Sequence, residues 1–268
     1  MNKFLITLLF LPLSVLASTN SVVYNITNNQ VIAGSLDKNE VSIASISKLM
    51  TIYTVLSAGQ DMSEKLTVTH GKTTNTKLTK GMRLTRRDLV ELALVSSDNV
   101  AALTLGQNYP GGMNYFVYQM NEHAKELDMT NTRFVEPTGL SPMNFSSVHD
   151  IVILTQAVSK FGQVQSAAQT QKEIRETVEG TKTVKKAKHK NKVVKTQNHT
   201  IVAHPTNKYF GHDGVITIKT GFTSAAGFCI TMLVYSKNNL YNITILGAKS
   251  KKERQIFVEK SLSKISNA

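Results

Sequence analysis

The 268-residue chain has one cysteine, Cys229. A single thiol excludes an intramolecular disulfide and any zinc ribbon built on cysteine pairs, so the fold must rest on core burial. Histidine is no better arranged for a metal. Among the seven histidines there is no His-x-x-x-His or His-Glu-x-x-His, and His199 and His204 stand five apart; no metal and no cofactor is predicted. Gly-x-Ser-x-Gly is missing too, which argues against a nucleophile-elbow hydrolase. Acidic residues are scarce, 18 against 31 Lys and Arg, leaving a net charge of +13. That excess points to an anionic partner, whether nucleic acid, a membrane surface or an acidic wall polymer, and is silent on fold. No internal repeat is present. Apolar residues nevertheless make up 41% of the chain, a globular composition with length enough for a sizeable core.

Long apolar runs are absent except at the start. Phe4–Leu16 is almost wholly apolar, follows Lys3, and leads into Val15-Leu16-Ala17, with small residues where a signal peptidase needs them. Its 13 residues fall short of the ~20 that span a bilayer as a helix. Pro12 interrupts the run and Ser18-Thr19-Asn20 follows, which disfavours a buried helix. Residues 1–17 therefore read as a signal peptide and 18–268 as a single exported domain without a transmembrane segment. Export argues against a nucleic-acid partner. The cleaved chain keeps a charge of +12, since Lys3 is the only charge removed.

Along the chain, Val22–Ile26 and Gln30–Ala33 flank Asn28-Asn29 as a β-hairpin. Helical periodicity covers Ile46–Leu56, Thr85–Leu105, Met113–Leu127 and Val148–Val158, with Thr85 and Asp88 spaced as a capping pair. Residues from about 165 to 200 are polar, with seven lysines between Lys182 and Lys195, and read as an exposed hairpin excursion. Val215–Ile218, Phe228–Tyr235 and Leu240–Leu246 are strands, the last two joined by a turn at Ser236–Asn239. Lys251–Ile265 closes the chain as an amphipathic helix. Strands, then helices, then strands and a helix predict an α+β domain. Its N- and C-terminal strands share an antiparallel sheet flanked by helices, with a mostly helical subdomain inserted between them.

Three Ser-x-x-Lys matches occur, at Ser35, Ser45 and Ser261. Context separates them. Ser35 lies in a polar turn, and Ser261 belongs to the last helix, where Ser and Lys are expected on the surface. Ser45 opens an apolar helix, so Lys48 falls on the same face one turn later. Taken alone, Ser45 would be read as a helix N-cap. Two further motifs accompany it: Ser97-Asp98-Asn99, 52 residues on, and Lys219-Thr220-Gly221, 122 residues beyond that at the end of a β-run. This ordered trio is shared by class A β-lactamases and penicillin-binding proteins.

With Ala44–Thr51, Leu94–Ala102, Pro137–Leu140 and Lys219–Gly227 taken together, the chain resembles the low-molecular-mass penicillin-binding proteins of the D-alanyl-D-alanine carboxypeptidase/endopeptidase family. The resemblance implies a β-lactamase/D,D-peptidase-like fold, peptidoglycan peptides as substrate, β-lactam antibiotics as covalent inhibitors and a periplasmic location. By the same resemblance Ser45 is the nucleophile and Lys48 its general base, made a usable amine by burial and by the second ammonium of Lys219. Ser97 relays the proton, and Asn99 orients Lys48 and holds a substrate amide. Lys219 and Thr220 bind the carboxylate beside the scissile bond, Gly221 lets a peptide lie along the strand, and the backbone N–H groups of Ser45 and Phe222 form the oxyanion hole.

A class A β-lactamase would also need a Glu-x-x-Leu-Asn element, which is absent; Glu136-Pro137-Thr138-Gly139-Leu140 occupies that stretch with other spacing. A class D β-lactamase usually has an apolar residue where Asn99 stands. A non-catalytic penicillin-sensing or wall-binding module is disfavoured by the full trio. Carboxypeptidase and endopeptidase both remain, because either substrate places a carboxylate next to the scissile amide. Only 47 residues follow Gly221, too few for the extra C-terminal β-domain of the larger carboxypeptidases, which favours the short endopeptidase-type members. A monomer is expected. The lysine-rich run is read as a solvated hairpin that adds weak attraction to wall or membrane.

Overall fold

The computed structural model describes residues 20–69, 71, 78–169, 174–184 and 193–267. The signal-peptide reading of residues 1–17 lies outside them, as do residues 185–192 of the lysine-rich run.

The described chain opens with the hairpin of β1 (Ser21–Asn25) and β2 (Gln30–Gly34), whose turn places Asn29 at φ +54°. A two-residue β3 (Val41–Ser42) and a single 3₁₀ turn, Ala44–Ser47, lead into α1 (Lys48–Ser57). Then come β4 (Lys65–Thr67), β5 (Arg83–Thr85), α2 (Arg86–Val95), α3 (Asn99–Gln107), α4 (Gly112–Glu126), β6 (Phe145–Ser146), α5 (Val148–Val158) and α6 (Gly162–Gln169). The long hairpin of β7 (Ile174–Val184) and β8 (Val193–Ala203) follows. The chain finishes with β9 (Val215–Thr223), β10 (Gly227–Ser236), β11 (Asn239–Ala248) and α7 (Lys251–Asn267).

The main sheet has the order β2-β1-β11-β10-β9. The first strands thus pair with the last, Val23 opposite Ile243, and every pairing is antiparallel. The β10–β11 turn holds Lys237 and Asn238 at φ +46° and +60°, the left-handed pair that a two-residue hairpin needs to match strand twist. Residues from Ile230 to Val234 are all buried, because α5 and α7 both pack on β10 and β11. A sheet covered on both faces reads as a continuous apolar run rather than an alternation. Where α5 meets the sheet, hydroxyls pair in the interior, Thr155 with Thr231 at 2.9 Å and Thr231 with Thr244 at 2.7 Å.

The second body of structure is the helical insertion, with α1 at its centre; Leu49, Met50, Ile52 and Val55 of α1 are buried. The Thr85–Asp88 pair is a true capping box. Asp88 N donates to Thr85 Oγ1 at 3.1 Å, and Thr85 N donates to Asp88 Oδ2 at 3.0 Å.

Two of the predicted elements are corrected by the structure. The single helix expected over Thr85–Leu105 is two, because Ser97 turns left-handed at φ +56° and the Asp98 carboxylate caps a new helix by accepting from Ala101 N at 2.8 Å. The polar excursion does not begin at residue 165, since α6 runs to Gln169 and buries Val164, Ala167 and Ala168. The excursion itself is a hairpin, paired from Ile174↔Ala203 to Val184↔Val193, and it joins β4 and β5 in a four-stranded sheet. Among the described residues no helix is long and apolar enough to cross a membrane.

Candidate active site

Ser45 sits where three segments converge. The 3₁₀ turn that carries it begins with Ala44 at φ +47°, and Ser47 Oγ ties the turn together by donating to Ala44 O at 2.9 Å. On one side lies β9: a Cβ built on Gly221 would stand 2.9 Å from Ser45 N and 3.1 Å from Ile43 O. On the other side is the 137–139 turn, where Gly139 adopts φ +78° and a Cβ would come within 1.9 Å of Ala44 O. Two glycines thus let two backbones close on the serine. Ser45 makes no side-chain cap to either helical segment, so the N-cap reading fails for it. Ser35 falls just after β2 in an irregular stretch rather than the turn expected, and its backbone N–H donates to Ser21 O at 3.0 Å. Ser261 is buried rather than exposed, and its hydroxyl is spent on Phe257 O at 2.7 Å.

Lys48, the first residue of α1, is fully buried. Its Nζ lies 3.0 Å from Ser45 Oγ, 2.7 Å from Asn99 Oδ1 and 2.6 Å from Thr138 O. The last two partners can only accept, whereas the serine hydroxyl can also donate. A neutral amine satisfies this geometry by donating twice and accepting the Ser45 proton. Burial pulls Lys48 down to about 7, against the opposing charges of Glu136 and Asp98. A buried ammonium loses hydration that partial charges do not fully replace.

Lys219 on β9 is also fully buried. It donates to Ser97 Oγ at 2.8 Å and to Thr220 O at 2.9 Å. Its proton affinity falls well below the ordinary lysine range, first through burial and then through the charges of Lys48 and Arg254. Burial is the first cause of the downward shift in both lysines, and their ammonium forms repel one another. Thr220 Oγ1 donates to Thr206 Oγ1 at 2.9 Å. Phe222 is 56% exposed and stacks on Phe228 with ring centroids 4.2 Å apart. Leu140 and Met143 are exposed on the loop that carries Gly139.

All eight predicted residues belong to one place. Ser45, Lys48 and Asn99 form one hydrogen-bonded set, Ser97, Lys219 and Thr220 another, and Gly221 packs on the serine with Phe222 next to it. Sequence reasoning missed the parts of the site that act through backbone or through a neighbour: the Thr138 carbonyl, the Glu136 carboxylate, the Asp98 cap and the Thr206 hydroxyl. Asp98 lies within the Ser97-Asp98-Asn99 motif and Glu136 and Thr138 in or beside Pro137–Leu140, but no motif signalled Thr206.

A buried lysine amine on a serine hydroxyl, beside a second serine–lysine pair and the edge of an antiparallel sheet, defines an active-serine acyl-transfer protein of the penicillin-binding type. Residues 12–250 match the D-alanyl-D-alanine carboxypeptidase family, and the chain belongs to that family. It is 33% identical over 241 residues to the D-alanyl-D-alanine endopeptidase of Escherichia coli, covering 88% of this chain and 73% of that one. Against the D-alanyl-D-alanine endopeptidase of Pseudomonas aeruginosa the identity is 35% over 243 residues, with the same coverage. The fold is that of a Streptomyces DD-transpeptidase, at TM-score 0.77 and 19% identity over 94% of this chain and 98% of the other. A penicillin-binding protein of Listeria monocytogenes in a cefotaxime-bound form matches at TM-score 0.73 and 25% identity, over 92% and 96%.

Proposed function

We propose that the protein is an exported serine D,D-peptidase of the periplasm that cleaves D-alanyl bonds of peptidoglycan, acting chiefly as an endopeptidase on cross-links. The observation that carries this reading is the buried Lys48 amine, about 7 in proton affinity, 3.0 Å from the Ser45 hydroxyl. Ser45 Oγ attacks the D-alanyl carbonyl carbon while Lys48 takes its proton. The oxyanion forms toward the backbone N–H groups of Ser45 and Phe222. The Ser97 hydroxyl, held by Lys219, delivers its proton to the leaving amine as the C–N bond breaks and recovers one from the Lys48 ammonium, which returns to the amine. Water then hydrolyses the Ser45 ester. Asn99 orients Lys48, and Lys219 with Thr220 attracts the carboxylate on the leaving side. Gly221 leaves the edge of β9 open to an extended peptide. The identity to relatives named endopeptidases supports the preference for cross-links.

A penicillin acylates the same serine. Labelled penicillin followed by peptide mapping is expected to mark Ser45 and neither Ser35 nor Ser261, and Ser45→Ala is expected to abolish labelling. Purified enzyme offered cross-linked tetrapeptide dimers and monomeric pentapeptide at equal concentration should consume the dimers faster. Loss of the terminal D-Ala with intact dimers would make it a carboxypeptidase.

A further inference from the structure

Glu136 stands outside every role assigned above, yet its carboxylate accepts five hydrogen bonds beside the site. It accepts from Thr138 N at 2.6 Å, Thr138 Oγ1 at 2.5 Å, Gly139 N at 2.6 Å, Ser141 N at 3.3 Å and Asn144 Nδ2 at 3.1 Å. Asn144, fully buried, closes the loop from the other side: its Nδ2 donates to Glu136 O at 2.8 Å and its Oδ1 accepts from Val135 N at 2.8 Å. The segment so bound is the one that touches the nucleophile. Gly139 lies against Ala44, and the Thr138 carbonyl accepts from Lys48 Nζ at 2.6 Å.

We propose that Glu136 is a positioning residue for the Ser45–Lys48 pair: its carboxylate folds the 137–139 turn against Ala44 and keeps the Thr138 carbonyl on the Lys48 amine. Two functions meet in one side chain. Five donors fix its two oxygens, so the carbonyl is held at a set distance from the amine. Its negative charge also acts on Lys48 and favours the ammonium. The charged groups acting on Lys48 are Glu136 on this loop and Asp98 at the start of α3, both of which favour the ammonium. The facing cation is Lys219 on β9. Saturation by donors of its own loop makes Glu136 a poor candidate for activating a hydrolytic water, which separates it from the glutamate of a class A β-lactamase.

The two functions come apart under two substitutions. Glu136→Gln keeps the size and removes the charge, and it turns an amide N–H₂ toward backbone donors. Glu136→Asp keeps the charge and is one methylene shorter. The inference rests on Ser45 acylation, so the readout is the rate of acylation by a fluorescent penicillin from pH 5 to 9, with circular dichroism to verify folding. Glu136→Gln should lower the plateau at least tenfold and move the acid limb to lower pH, on the order of one unit, because the amine is then freed of its proton more readily. Glu136→Asp should lower the plateau and leave the limb in place. A folded Glu136→Gln protein with the wild-type limb and plateau overturns the proposal. A lowered plateau with an unmoved limb reduces Glu136 to a purely structural residue and overturns it as well. If Glu136→Gln does not fold, a Glu136→Asp limb that moves with the loss of rate has the same force. Failure of the wild type to acylate at all would instead refute the functional reading beneath it.

Discussion

Lys48 should leave a mark on stability that is separable from its role in acylation. The unfolded chain holds this lysine near 10.5, while burial holds it at about 7 in the folded protein. Keeping the side chain as an amine at neutral pH therefore costs about 5 kcal/mol at ~1.4 kcal/mol per tenfold change in proton affinity. Between pH 7 and 10.5 the unfolded state binds the extra proton, so stability rises with pH through this window; below it both states are protonated and the contribution is flat. Lys48→Met removes the titrating group. It also strips a donor from Asn99 Oδ1 and Thr138 O, at about 1–3 kcal/mol each. Those losses do not titrate, and they set the offset between the two proteins rather than the slope. Urea unfolding from pH 7.5 to 9.5 should show the wild type gaining on Lys48→Met by ~1.4 kcal/mol per unit, about 3 kcal/mol across the range. Parallel stability curves would refute a neutral, buried Lys48. Lys48→Arg supplies the functional half of the test. Arginine stays protonated and cannot take the serine proton, so acylation should fall by on the order of 10³-fold.

Gly221→Ala should slow acylation by about tenfold or more, because its Cβ would stand 2.9 Å from the Ser45 amide and backbone must shift to admit it; stopped-flow acylation with a wild-type rate would contradict the close approach. Thr85→Ala should cost about 1 kcal/mol in urea unfolding through loss of the α2 cap and leave acylation unchanged, whereas an equal loss of activity would mean that α2 transmits its N-terminal order to Ser97. The penicillin adduct should persist for minutes or longer in intact-protein mass spectrometry, since no Glu-x-x-Leu-Asn element is present; rapid turnover would favour a β-lactamase.

Local chemistry was enough to read the sequence's large features. The β10–β11 turn and the Thr85–Asp88 cap depend on a few adjacent residues, and both appear in the structure where the spacing predicts them. The trio of Ser45, Ser97 and Lys219 was legible as short motifs, and the structure gathers the three side chains around two lysine amines. The break at Ser97 was not legible: the apolar periodicity runs across it, and only the left-handed backbone and the Asp98 cap interrupt the helix. The two short strands that extend the β7–β8 hairpin into a sheet were equally hidden, since three residues carry no period. Sequence named both lysines and could not show that both are fully buried, the first cause of their lowered proton affinity. Nor could it show that Thr138 offers a carbonyl rather than a side chain to Lys48. The amino-acid order marked which side chains meet at the candidate site. Tertiary structure alone decided their protonation and reach, because burial, the approach of two backbones to Ser45 at Gly139 and Gly221, and the meeting of the Thr138 carbonyl with Lys48 arise only when segments far apart in the chain are packed together.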